Sequence, residues 1–198
     1  MTGSGFDLVR RALAMRPATR VDEAVSARAA VAAILRDGER GLEILFIRRA
    51  EHERDPWSGH IGFPGGRAEP GEDDLLETAV RETAEEISLD LRHDGELLGS
   101  LDEIRALARG RPVDLAITPF VFGLRRRTEG VPSAEVVSLH WLPLDRLLDR
   151  SLEDTLEFRH EGTALQLPCL RVDSLVIWGL TYRMFENLRQ LVETATGL

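Results

Sequence analysis

A chain of 198 residues, 43% of them hydrophobic, holds one domain with a sizeable core and leaves little for a second. Its formal net charge of −9 argues against broad, sequence-independent binding to nucleic acid, which draws its affinity from Lys and Arg neutralising phosphates. All 25 basic residues are arginine, and a local cluster of them is enough to hold a small phosphorylated ligand, so that class of partner stays open.

Taken in chain order, Phe6 to Met15 carries apolar residues at Phe6, Val9, Leu13 and Ala14, a helical spacing that Pro17 ends. Asp7, Arg10 and Arg11 deny this stretch the apolar core of a signal peptide. Residues 1–25 are read as an N-terminal helical extension and residues 26–198 as the main domain. Ala29 to Leu35 and Leu42 to Ile47 predict two strands joined by a loop over residues 36–41. The first run is too short to cross a bilayer, and the expectation is a cytoplasmic protein with no membrane partner. Beyond Arg49, the Pro and Gly of Asp55-Pro56-Trp57-Ser58-Gly59 and Phe63-Pro64-Gly65-Gly66 predict an irregular, functional loop.

Residues 74–87 lack Gly and Pro and place Leu75, Leu76, Ala79, Val80 and Thr83 on one face, which predicts a helix capped by Asp73 or Asp74. Strands are expected over residues 96–101, 115–124 and 136–142, followed by a helical turn over 144–148. Residues 155–158 and 164–167 predict a hairpin, and 178–194 a closing amphipathic helix. The one cysteine, Cys169, makes no internal disulfide and reads as a small buried hydrophobe.

The segment that carries chemistry is Arg81-Glu82-Thr83-Ala84-Glu85-Glu86. On a helix, Glu82, Glu85 and Glu86 stand at i, i+3 and i+4, so three carboxylates project from adjacent positions of one face. Such crowding is unfavourable without a cation, and a hard, oxygen-seeking divalent ion such as magnesium relieves it. Arg81 is placed to pair with a neighbouring carboxylate. Taken alone, these residues also fit an ordinary solvated helix face. The Gly-rich loop 62–66 and the turn Glu69-Pro70-Gly71-Glu72 lead directly into the helix, however, and the three make one unit.

That unit resembles the Nudix family, whose box reads Gly-x5-Glu-x7-Arg-Glu-U-x-Glu-Glu-x-Gly-U, with U aliphatic. Here Gly66 precedes Arg81-Glu82 by one residue more than the box does, so either Asp73 or Glu72 takes the place of its first Glu. Thr83 stands at an aliphatic position, and Ser88 stands where the family has a Gly that tolerates a left-handed backbone. The resemblance implies that Glu82, Glu85 and Glu86 bind Mg2+, with Mn2+ as the alternative ion, and that the Gly66 carbonyl joins them. It implies an α/β/α sandwich on a mixed β-sheet, and hydrolysis of a pyrophosphate bond without a covalent intermediate. Some members carry a general base before a strand ending in Trp-x-Pro, and Glu135, ahead of Trp141-Leu142-Pro143, is this chain's candidate.

A narrower resemblance is to the coenzyme A pyrophosphatase branch. It rests on Leu45-Phe46-Ile47-Arg48-Arg49-Ala50, then Arg54, Gly59 and Phe63-Pro64-Gly65-Gly66, with Val176-Ile177-Trp178-Gly179-Leu180-Thr181 near the end. Arg48, Arg49 and Arg54 are candidate phosphate partners, since guanidinium forks suit phosphate oxygens, or else surface ion pairs. Trp57 is expected to stack on an adenine or to seal its loop, Phe63 to join the substrate site, and His60 to be a turn residue. The expected substrate is a nucleoside diphosphate derivative, coenzyme A or an acyl-CoA, with ADP-ribose or NADH as the alternative; a homodimer is compatible with this. A fold retained only for nucleotide sensing is the rival reading, which the intact acidic set opposes.

Overall fold

The computed structural model describes residues 5–21, 25–52, 59–108, 111–160 and 163–197, so the expected contacts of Arg54 and Trp57 lie outside the described residues. Helix α1 (Phe6–Ala14) opens the fold, followed by the strands β1 (Ala27–Gly38) and β2 (Gly41–Arg49). These two pair antiparallel out to Gly38 opposite Gly41, which makes their turn tighter than the six-residue loop expected.

Two short strands, β3 (Ile61–Gly62) and β4 (Gly65–Arg67), correct the expectation of wholly irregular chain here. Pairing with β2 and β1 respectively overrides their weak local strand preference. Helix α2 (Leu75–Ile87) follows, then the short α3 (Leu91–Asp94). Next come β5 (Gly95–Ser100), β6 (Ile104–Ala108) and β7 (Arg111–Leu124). Strand β8 (Val136–Pro143) runs into α4 (Leu144–Leu148), and the hairpin β9 (Glu153–His160) and β10 (Thr163–Val172) follows. The last elements are β11 (Leu175–Trp178) and α5 (Gly179–Thr196). The sequence reading lacks α3, β6 and β11, each too short for its periodicity to register.

The eight-stranded sheet has the order β3-β2-β1-β7-β5, with β4 against β1, β6 against β7 and β8 against β2. It is mixed, because β1 lies parallel to β7 and antiparallel to β2. On one face Val80 and Ile87 of α2 pack against Ala32, Ile34, Leu45 and Ile47. On the other, Val9 and Leu13 of α1 and Phe185 and Leu188 of α5 pack against Ala33, Leu35, Ile44 and Phe46. Alternation along each strand sends neighbouring residues to opposite faces, so the sheet is a layer between helices: the expected α/β/α sandwich. The three-stranded sheet β11-β10-β9 adds Leu170, Val172, Leu175 and Ile177 to the α5 side of the core. Cys169 is buried, as expected of a small hydrophobe. Among the described residues no helix is long and apolar enough to cross a membrane.

The chain after α1 is strapped to the sheet through two carboxylates. Asp102 accepts from the Arg16 guanidinium at 2.7 Å, from the Thr19 amide at 2.7 Å and from Asn187 Nδ2 of α5 at 3.0 Å. Glu103, next to it, accepts from the Val21 amide and from Arg28 Nη1, each at 2.8 Å. Arg16 is the main reason that the Asp102 carboxyl lies near 2, below the ordinary aspartate range. A depressed carboxylate stabilises the fold above its unfolded pKa and loses that contribution as pH falls through the folded value. Asp102→Asn is therefore expected to cost about 1 kcal/mol at neutral pH, a value reduced for the exposure of Arg16. In urea melts the gap from wild type should close between about pH 4 and pH 2; a gap that stayed constant over that range would assign it to packing.

Candidate active site

Helix α2 is positioned at both ends by residues that the acidic motif depends on. Asp74 caps its start, its side chain accepting from the Leu76 amide at 2.9 Å. Ser88 ends it in the left-handed region, with φ 52° and ψ 34°, and donates its amide to the Ala84 carbonyl at 2.9 Å. The conformation that Gly would take most easily is thus held by Ser. The reason lies across the sequence: Val131 and Ser133 donate their amides to the carbonyls of Ile87 and Glu86 at 2.7 and 2.8 Å. Those bonds satisfy two of the helix's terminal carbonyls. They also pin the loop that carries Glu135 to the end of the acidic helix.

Three carboxylates do rise from one stretch of α2, in three environments. Glu86 is buried at 3% exposure. It accepts from the Gly65 amide at 2.8 Å and faces Arg49 Nη1 at 3.3 Å. Burial pushes its carboxyl up to about 7; the Gly65 amide and Arg49 oppose the shift, and Glu82 and Glu135 add to it. Burial likewise pushes up Glu82, which takes Arg81 Nη1 at 2.9 Å. Glu85 is largely exposed and lies 3.2 Å from the same Arg81 nitrogen.

Arg81 also reaches both carboxylate oxygens of Glu72, at 3.4 and 3.2 Å, and the Arg67 carbonyl at 3.2 Å. That contact raises the Arg81 pKa further and lowers that of Glu72. Of the two residues left open for the first acidic place of the box, Glu72 is the one that pairs with the box arginine. The extra residue is then absorbed between Glu72 and the cap Asp74.

Gly65 and Gly66 of β4 connect the acidic helix to a cavity of about 640 Å³. Gly65 donates to Glu86, and a Cβ on Gly66 would collide with the Glu82 carboxylate. Both glycines line the cavity, as do Arg49, Phe63 and Glu135; Glu82, Glu85, Glu86 and Arg48 do not. The two arginines part where the β2–β8 ladder shifts register between them. Arg49 follows Leu45 and Ile47 toward α2, whereas Arg48 follows Ile44 and Phe46 to the opposite face. There Arg48 adds to burial in depressing the pKa of His140. Phe63 is buried and stacks on Phe46 with ring centroids 5.0 Å apart.

His60, expected as a turn residue, lines the cavity beside Trp178 with ring centroids 4.7 Å apart. Leu180, Thr181 and Met184 of α5 line it too and were not assigned to the site from sequence. The likeness of residues 176–181 to the coenzyme A branch was the only signal for Leu180 and Thr181, and Met184 had none.

The donor set suits a hard divalent cation: carboxylate and peptide oxygens, with one carboxylate held in a buried place where its charge is poorly compensated. Among the described residues no three acidic or histidine side chains converge into a ready-made cage. Arg81 holds Glu82 and Glu85, while Arg49 and Gly65 hold Glu86, so loading an ion requires these side chains to turn from their arginines.

The sequence comparisons agree with this geometry. The model of the NUDIX domain matches residues 26–164. An uncharacterized Nudix hydrolase, NudL of Yersinia pestis, is 31% identical over 157 residues, which cover 75% of this chain and 72% of that protein. An uncharacterized protein of Schizosaccharomyces pombe is 36% identical over 108 residues, and the match spans only 33% of its length. Among solved structures, a MutT/nudix family protein from Enterococcus faecalis aligns with a TM-score of 0.56 at 15% identity, covering 89% of this chain and 70% of that one. The MutT protein from Methanosarcina mazei aligns at 0.50 and 18% identity, covering 92% and 96%. The two structures share the fold, and the domain match together with NudL establishes that this chain belongs to the Nudix hydrolase family.

Proposed function

We propose that the chain is a magnesium-dependent hydrolase of a pyrophosphate bond in a nucleoside diphosphate derivative, and that its substrate is coenzyme A or an acyl-CoA. The observation that carries the first part is Glu86, a buried carboxylate on the Nudix helix gripped by the glycine strand that also lines the cavity. Glu82, Glu85, Glu86 and the Gly66 carbonyl are the proposed holders of Mg2+. A bound ion would draw charge from the bridging phosphates and lower the pKa of a water. Arg81 holds Glu82 and Glu85 until an ion takes them over. Arg49 and Arg54 are assigned to the phosphates. Glu135 is assigned as the base that takes the proton of the attacking water, because its loop is tied to α2 and it faces the cavity.

The coenzyme A reading draws on the residues that resemble that branch. Arg49, Phe63, Trp178, Leu180 and Thr181 all belong to those segments and all line one cavity, although they are spread over residues 49 to 181. Discrimination resides in differential transition-state binding, so the deciding quantity is kcat/KM for coenzyme A against dephospho-coenzyme A, ADP-ribose and NADH at equal magnesium. Coenzyme A is expected to lead. A tenfold preference for ADP-ribose or NADH, about 1.4 kcal/mol, would remove the coenzyme A assignment and leave pyrophosphate hydrolysis standing.

A further inference from the structure

The edges of the large sheet are guarded against pairing with a second chain. Its outer strands β5, β6 and β8 lie in ladders that break register, between Leu97 and Gly99, between Arg105 and Leu107, and between Arg48 and Arg49 of β2. Such breaks bend an edge and deny a neighbour a straight ladder. β9 has none. Its eight residues pair one by one with β10, from Glu153 opposite Leu170 to His160 opposite Thr163, and they include no proline. β9 is also an outermost strand, and among the described residues no strand lies along its far side.

The hairpin carries an apolar face as well. Leu170 and Val172 belong to the α5 side of the core, so alternation along β10 turns Leu165 and Leu167 the other way. The register sets Phe158 opposite Leu165 and Leu156 opposite Leu167, which gathers four apolar residues on that face. Leu165 is 40% exposed, and Phe158 lies against Trp178 with ring centroids 5.6 Å apart.

We propose that β9 pairs antiparallel with β9 of a second copy of this chain, about a twofold axis at Phe158, and joins the two hairpins into one six-stranded sheet. The occupant follows from the charges along the edge. A twofold axis normal to the sheet keeps every residue on its own face, so each can oppose only a residue an even number of places away. With Phe158 on the axis, Glu157 of each copy lies opposite Arg159 of the other. Within one chain these two already sit 2.7 Å apart, so pairing makes a four-charge cluster of alternating sign. Other axes fail. One at Glu157 sets that carboxylate against itself, and one at Thr155 sets Glu153 against Glu157. One at Leu156 matches Arg159 to Glu153 but faces Asp154 with Phe158, and Glu153 is already held by the buried Arg189 and by Arg150. A second copy supplies the matching pattern by symmetry, and its Phe158 and Leu165 extend the apolar face across the axis.

The test is the mass of the particle in solution, read by sedimentation and light scattering over a dilution series, where the wild type should be a dimer. Glu157→Arg alone and Arg159→Glu alone each set like charges opposite one another twice, and each should weaken the dimer by about tenfold or more. Both side chains are exposed, so the fold should hold. The double reversal Glu157→Arg with Arg159→Glu exchanges the ends of every pair and should recover the dimer. Phe158→Cys should cross-link two copies on mild oxidation, whereas Leu165→Cys should not, since three strand spacings, about 14 Å, part it from its mate. A dimer that ignores Glu157→Arg and is not recovered by the double reversal would place the axis elsewhere and overturn the proposal. So would a chain that stays monomeric up to about 1 mM, where even a weak specific contact shows.

Discussion

Glu86→Gln is expected to lower turnover by about 10² to 10⁴ while leaving the fold intact, the loss that follows when several kcal/mol of metal-based stabilisation disappear. Gln keeps the shape of Glu and still accepts from the Gly65 amide, so the glycine strand has no reason to move. What goes is the charge, in the one carboxylate of the three that is buried. The same burial makes an opposite prediction for stability. A carboxyl raised to about 7 disfavours the folded state once pH exceeds its unfolded value, so the metal-free variant should melt no lower than wild type at neutral pH, and higher if relief of repulsion dominates. Magnesium should then raise Tm in wild type more than in the variant, since only an ion that binds the native state shifts the equilibrium. Near-normal rates in Glu86→Gln at saturating magnesium would show that the assignment is wrong.

Gly65→Ala should be the most damaging single methyl in the chain. Gly65 sits at φ 146°, a conformation L side chains rarely adopt, and its missing Cβ would overlap the Ala30 carbonyl oxygen and lie 2.5 Å from the Val31 Cα. Both obstacles are backbone of β1, which cannot yield without parting β4 from the sheet. A cost of about 3 kcal/mol or more is expected from strain and collision together, and a Tm lower by roughly 6 to 12 °C. Activity per folded molecule should fall as well, because Gly65 is also the amide that holds Glu86. Gly71→Ala is the control: its φ is 89°, yet nothing lies within 4 Å of the added carbon. Equal melting losses for the two would assign the effect to backbone strain alone.

The acidic helix was legible in the sequence because its signals are local: a cap, a helical period and carboxylates three and four apart. The identity of its partners was not. Glu72 and Asp73 are adjacent and alike in charge, and only folding decides which one meets Arg81. Arg48 and Arg49 look equivalent as phosphate ligands, yet only the second reaches the acidic side, and the hydrophobic run before them is buried on both faces and hides its own parity. Strands β3 and β4 escaped because two or three residues carry no period; they are strands by virtue of the neighbours they pair with. The buried lining of the cavity escaped for a similar reason: Ile61, Leu115 and Met184 are ordinary core residues in sequence, and nothing local distinguishes a core residue that faces a void from one that does not.

The parallel pairing of β1 with β7 bears on how the chain reaches its native state. β1 can zip to β2 as soon as their short turn closes, but its other edge waits for residues about 90 positions further on. At ribosomal speeds of about 5 to 20 residues per second, that edge stays open for several seconds in every nascent chain. A strand whose run from Ala29 to Leu35 is alanine-rich and uncharged, with one edge unpaired, is a template for a neighbouring chain as much as for its own β7. Yield of soluble protein should therefore respond to translation rate and chaperone supply more than to changes on the outer helices, even where those changes cost equilibrium stability.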